Sequence, residues 1–150
     1  MTLGLQEMSD RFEIQDLLVG YCYAVDARDF DALDQYFTAD AVIDYSEMVG
    51  FKGDLAQTKQ FLQGSFSIVS AVQHAVSTTR YEFDGDRCRT KSVCYNPMTV
   101  TNGLQEDTVT FGLWYIHDLV RTAAGWRIAR LYEEKCYRLG IPEWLNDKVA

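Results

Sequence analysis

A chain of 150 residues with 47% apolar content, 22 acidic and 14 basic side chains and a net charge of −8 fits one compact domain spanning residues 1–150, long enough to bury most of its unfolded surface. The acidic balance excludes a nucleic-acid surface, because affinity for phosphate comes from clustered Lys and Arg. No apolar run approaches 18 residues, and no basic amphipathic helix, lipidation motif or export leader is evident, so we expect a cytoplasmic protein with no membrane partner.

The first predicted element is an amphipathic helix from Ser9, in which Asp10 and Glu13 are spaced like a capping box and Ile14, Leu17, Leu18, Tyr21, Cys22 and Val25 form one apolar stripe. Asp26 lies in its last turn, where the helix dipole disfavours negative charge, so this aspartate needs a donor or cation as a partner. A short second helix over Asp29–Phe37 and a strand over Ala41–Tyr45 follow. Gly50 and Gly53 mark a loop, and a third helix is expected from about Asp54 to Phe66. The remainder reads as strands. Ala71–Phe83 returns through Asp84-Gly85-Asp86 into Arg87–Val100; Asn102-Gly103 then turns the chain into Thr108–Val120, and Thr122–Gly125 hands over to Trp126–Lys135. Residues after Pro142 form a short tail or packing segment. Helices first and a long meander after them predict an α+β domain, with a cone-shaped, curved antiparallel sheet wrapped on the N-terminal helices and an apolar cavity where the two do not fully meet.

His74 interrupts the apolar run Ala71–Val76 and is the natural partner for Asp26. Cys22, Cys88, Cys94 and Cys136 lack CxxC spacing and read as reduced, packed thiols, while His74 and His117 alone give no zinc pattern, so no metal is expected. His117 reads as structural or surface-facing. Glu133 and Glu134, adjacent on a strand, point to opposite faces and cannot act as one acid/base pair. Trp114 and Trp126 are expected to leave apolar surface for a homodimer or homotrimer.

Four stretches carry a family resemblance: Ile14-Gln-Asp-Leu-Leu18, Ala24-Val-Asp-Ala-Arg-Asp-Phe-Asp-Ala-Leu33, Val72-Gln-His-Ala-Val76 and Gly125-Trp-Arg-Ile-Ala-Arg-Leu-Tyr-Glu-Glu134. Together they resemble a SnoaL-like protein of the nuclear transport factor 2-like fold, a cystatin-like roll. The resemblance implies that Asp26 and His74 match the catalytic Asp-His pair of scytalone dehydratase, hexachlorocyclohexane dehydrochlorinase and bile-acid 7α-dehydratase. It also places Tyr45 where a tyrosine positions the solvent or substrate oxygen, and Tyr21 where the bile-acid enzyme has a tyrosine. Two departures stand out. The second histidine of scytalone dehydratase has no counterpart near Pro97–Thr99, and the dehydrochlorinase's final-strand arginine falls at Leu131.

The chemistry implied is β-elimination, most simply dehydration of a small apolar cyclic substrate, with no cofactor. An imidazole accepts a proton from an activated C–H, and an aspartate on its other nitrogen sets the tautomer and stabilises the imidazolium. Tyr45 or Tyr21 supplies a hydrogen bond to a carbonyl or a leaving hydroxyl. Tyr95, Pro97, Tyr115 and Leu131 are expected in the substrate pocket. Two other readings stay open: a non-catalytic ligand-binding or assembly domain, and a ketosteroid-isomerase-like proton shuttle with Asp26 as the base.

Overall fold

The computed structural model describes residues 2–147. In chain order the elements are α1 (Leu5–Asp26), a 3-10 turn (Asp31–Gln35), β1 (Phe37–Tyr45), α2 (Ser46–Val49), β2 (Phe51–Gly53), α3 (Leu55–Ser65), β3 (Val69–Val72), β4 (Ala75–Asp84), β5 (Arg87–Thr101), β6 (Glu106–Thr122), β7 (Gly125–Leu139) and α4 (Glu143–Asn146). The strands form one curved, unclosed sheet in the order β2-β1-β7-β6-β5-β3, with β4 also on β5.

The sheet is mixed, whereas the sequence pattern predicts an antiparallel one. β5, β6 and β7 are joined by tight turns and pair antiparallel, but β1 and β7 pair in parallel. No hairpin links those two strands, so no turn geometry sets their relative sense.

The apolar stripe of α1 is buried as its spacing predicts, from Ile14 to Val25. Each such side chain contributes about 1.5–3 kcal/mol by leaving water. The helix begins at Leu5, not Ser9, and its N-cap is Gly4, without a side-chain cap. Asp10 and Glu13 consequently make no capping box. Glu13 accepts the backbone N–H of Trp126 at 2.8 Å, while Asp10 accepts the Trp126 indole N–H at 3.0 Å and two guanidinium N–H groups of Arg121 at 2.8 Å each. These bonds tie the first helix to the last hairpin. Trp126 is fully buried beneath them, so it supplies no outward apolar surface. Trp114 is half-buried and carries the Lys91 ammonium 5.0 Å from its ring centre.

α3 has the expected start. Asp54 accepts from the Gln57 backbone, and the Gln57 side chain accepts from the Asp54 backbone. The expected second helix shortens to the 3-10 turn, because Phe37 joins β1 instead. The predicted strand Ala71–Phe83 is two strands, β3 and β4, which pair with successive parts of β5.

Pro97 accounts for the break. Its carbonyl accepts the Gln73 N–H at 3.1 Å, so its ring nitrogen, which carries no hydrogen, faces the same side. The Gln73 carbonyl receives no backbone donor there and takes the Asn96 side-chain amide at 2.8 Å instead. Gln73 and His74 leave the ladder at that point.

The Arg121 bonds hold the Asp10 carboxyl well below the usual carboxylate range, against a desolvation that acts in the other direction. A lowered carboxyl stabilises the fold above its unfolded value and loses that contribution as pH falls through the acid range. Asp10→Ala is expected to lower unfolding free energy by about 1.5–3 kcal/mol at neutral pH, with the difference shrinking in acid. Chemical denaturation measures this; equal midpoints at neutral pH would contradict the linking role.

Candidate active site

Asp26 ends α1, and His74 occupies the gap between β3 and β4. On this edge of the sheet the polar groups of Gln73 face β5, so the next backbone N–H, that of His74, points away from β5 and donates to Asp26 Oδ2 at 2.9 Å, while His74 Nδ1 lies 2.5 Å from Asp26 Oδ1. Both carboxylate oxygens are therefore engaged by one residue. Because a carboxylate only accepts, Nδ1 carries the hydrogen and Nε2 is left as the basic nitrogen. Among the described residues, Nε2 has no hydrogen-bond partner. Arg28, a cation two residues beyond Asp26, turns away in a left-handed conformation and donates to the carbonyls of Phe66 and Val69.

His74 borders a half-open, largely apolar cavity of about 130 Å³ between α1, α3 and the concave face of the sheet. Tyr21, Tyr45 and Tyr115 line it as well. The Tyr21 and Tyr45 hydroxyls are 2.6 Å apart, and burial raises both phenols above their ordinary range. Leu145 of α4 also contributes to the wall, so the tail beyond Pro142 packs over the cavity.

Three expected pocket residues lie elsewhere. Strand parity puts Asn96, Met98 and Val100 of β5 against the cavity, leaving Tyr95 47% exposed and Pro97 outside the wall. Leu131 is completely buried in the core and borders no part of the cavity. Sequence reasoning missed most of the lining residues, two of which, Asn96 and Glu133, bring side chains able to hydrogen-bond. The signal for Asn96 was the same parity read on the opposite face.

Glu133 is the other missed residue. Two positions beyond Leu131, it shares that residue's strand face, and its separation from Glu134 onto opposite faces drew attention to pairing rather than to burial. It stands in register with Tyr115 on β6. The parallel pairing of Asp44 with Tyr132 brings Tyr45 of β1 to the same level on its other side. Burial pushes the Glu133 carboxyl up to about 8, and hydrogen bonding from Tyr115 opposes this only in part.

The other titratable candidates do not reach the site. His117 is buried beside Tyr115 with Nδ1 3.3 Å from the Thr90 hydroxyl, and desolvation lowers it to about 3, so it stays neutral. Cys22, Cys88 and Cys94 are buried free thiols, whereas Cys136 is exposed rather than packed. Among the described residues no group of three His, Cys, Asp or Glu side chains is arranged to hold a metal ion, and no helix is long and apolar enough to cross a membrane.

The Glu133 carboxyl has an ordinary value of 4.5. Between about 4.5 and 8 the folded chain therefore holds a proton that the unfolded chain releases, so stability falls as pH rises across that window and levels off above it. Glu133→Gln removes this ionisation. Its melting temperature relative to the natural chain is expected to rise from about pH 5 to about pH 9; a constant difference in calorimetric scans would contradict a half-buried Glu133 that is neutral at pH 7.

A family model described as a SnoaL-like domain matches residues 6–132. An uncharacterized protein of Mycobacterium tuberculosis is 42% identical over 136 residues, covering 91% of this chain and 92% of its own. A Novosphingobium aromaticivorans structure, provisionally named an aromatic-ring hydroxylase, has a TM-score of 0.82 at 26% identity and covers 94% of this chain and 97% of that one. Another from that organism, provisionally named a scytalone dehydratase, has a TM-score of 0.77 at 16% identity, with coverage of 88% and 87%. A hexachlorocyclohexane dehydrochlorinase from Novosphingobium barchaimii has a TM-score of 0.80 at 16% identity, with coverage of 93% and 94%. The last two show a shared fold alone. From the extent of the domain match and the identity to the mycobacterial relative, the chain belongs to the SnoaL-like family, on a nuclear transport factor 2-like fold.

Proposed function

We propose that the protein is a cofactor-independent lyase that removes water by β-elimination from a small, mostly apolar cyclic substrate. The observation that carries this reading is the Asp26–His74 contact at the edge of an apolar cavity. Nδ1 is occupied by the carboxylate, so Nε2 is the nitrogen available to take a proton from a bound C–H. Asp26 holds the ring in that tautomer and offsets the charge of the imidazolium. Tyr21 and Tyr45 share one hydroxyl proton between them, which leaves the other free to donate to a substrate oxygen.

Two of the structural relatives are named for eliminations, a dehydratase and a dehydrochlorinase. Dehydration is favoured here because Leu131 puts an apolar, sealed side chain where the sequence comparison expects the dehydrochlorinase's arginine. An isomerase using Asp26 alone as base is disfavoured, since both of its oxygens already accept from His74. A purely binding role needs the apolar wall but gives no reason for an imidazole-carboxylate pair beside it.

The test is a panel of cyclic alcohols with an acidified C–H next to the carbinol, followed by mass spectrometry for loss of water. His74→Ala is expected to reduce kcat/KM by more than about 100-fold, and Asp26→Asn by at least about tenfold, with melting curves that still show a folded chain. Turnover by the folded His74→Ala variant at the natural rate would overturn the assignment of His74 as base.

A further inference from the structure

Arg28 holds a backbone conformation that an L side chain resists, and its guanidinium is committed to two main-chain carbonyls. We propose that Arg28 is a positioning residue for the Asp26–His74 pair, a clamp that fixes the end of α1 against the stretch of chain leading into His74. For its effect on turnover this rests on the lyase reading; its effect on the imidazole rests on geometry alone.

α1 ends in a Schellman motif. The Asp29 N–H donates to the Ala24 carbonyl at 2.9 Å and the Arg28 N–H to the Val25 carbonyl at 3.0 Å, which puts Arg28 at the position that turns left-handed, with φ 61°. Glycine is the usual occupant, because a Cβ there crowds the following carbonyl oxygen. Among the described residues with a side chain, only Thr78 shares a positive φ. An arginine kept where glycine fits better points to a task for its side chain.

The task follows from what the guanidinium touches. Arg28 Nη1 donates to the Phe66 carbonyl at 3.2 Å and Nη2 to the Val69 carbonyl at 2.5 Å, and the group lies over the Phe66 ring, 5.6 Å from its centre. Phe66 in turn packs edge-on against Phe30, with ring centres 5.4 Å apart. Val69 opens β3, which has four residues and sits at the end of the sheet, so few ladder bonds fix the strand that carries the chain to His74.

The stretches 26–28 and 66–74 are thereby joined twice, once through Asp26 and His74 and once through Arg28 with Phe66 and Val69. A second link between the same stretches lowers the entropy lost in making the first. A guanidinium suits this role because its planar fork reaches two acceptors at once, whereas an ammonium is a point charge on a flexible stem. Arg28 is exposed, so water competes for its donors, and the loss expected on removing it is in alignment more than in stability. Phe66 and Val69 also line the cavity. A clamp serving only that wall would alter substrate fit, and the split between kcat and KM separates the two roles.

Arg28→Gly removes the guanidinium and relieves the left-handed backbone, so the variant is expected to fold with a melting temperature near the natural one. The first readout is the pair of nitrogen-15 shifts of the His74 ring at neutral pH. The natural protein is expected to show the hydrogen on Nδ1; in Arg28→Gly the two shifts are expected to approach each other as the ring exchanges between tautomers, and Arg28→Lys is expected to recover part of the natural pattern. Arg28→Asn, which also tolerates the left-handed region, supplies the comparison should the Gly variant fail to fold. The second readout is turnover of any cyclic alcohol that the natural protein dehydrates. Arg28→Gly is expected to lower kcat by about tenfold with KM changed by less than about twofold, and to cause no further loss when added to Asp26→Asn. Identical ring shifts in the natural and Gly proteins would overturn the clamp, as would a rise in KM at unchanged kcat or a full additional loss in the double variant. Altered ring shifts with no dehydration of any cyclic alcohol would sustain the clamp and count against the lyase reading instead.

Discussion

A missing hydrogen on one backbone nitrogen organises the site. Pro97 accepts the Gln73 N–H but has no N–H to return, so the ladder alongside β5 breaks at Gln73 and His74, and the Asn96 amide satisfies the carbonyl that would otherwise be stranded. The His74 N–H, directed away from β5, meets the end of α1, where Asp26 needs donors because it sits at the negative pole of a helix of 22 residues. One irregularity in the sheet thus compensates an unfavourable charge in the helix. The resulting contact spans 48 positions of the chain.

The same region is where the helices and sheet do not close on each other. Protein interiors are otherwise close-packed, and an open apolar hollow forfeits dispersion contacts that a filled core would have. Tying the first helix to the last hairpin through Asp10, Glu13, Arg121 and Trp126 offsets that loss at the opposite end of the domain. It also leaves the cavity end of α1 positioned by Asp26. In and beside the hollow, desolvation favours the neutral forms of Tyr21, Cys22 and Glu133. A site built this way suits chemistry in which charge appears only transiently.

Much of this was legible in the residues. The period of α1 gave its buried face, Asp54 and Gln57 marked the start of α3, and the Asp84-Gly85-Asp86 turn located the β4–β5 hairpin. What the residues could not reveal depends on distance in space. Asp10 and Glu13 have capping-box spacing, and only the approach of β6 and β7 diverts them to Arg121 and Trp126. The parallel β1–β7 pair has no local signature, since no turn connects the strands. On β5 the alternation was visible but not which face met the hollow, so Tyr95 and Pro97 were expected where Asn96 and Met98 stand. Glu133 was readable in part: it lies two positions from Leu131 on the same strand face, but its place in the cavity wall depends on how the sheet meets the helices.

The most direct test of the central claim is a nitrogen-15 NMR spectrum of the His74 ring at neutral pH. The account predicts a hydrogen on Nδ1, shifted far downfield by its short bond to Asp26, a bare Nε2, and loss of that pattern in Asp26→Ala. A ring protonated on Nε2 alone, or a spectrum unchanged by removing Asp26, would contradict it.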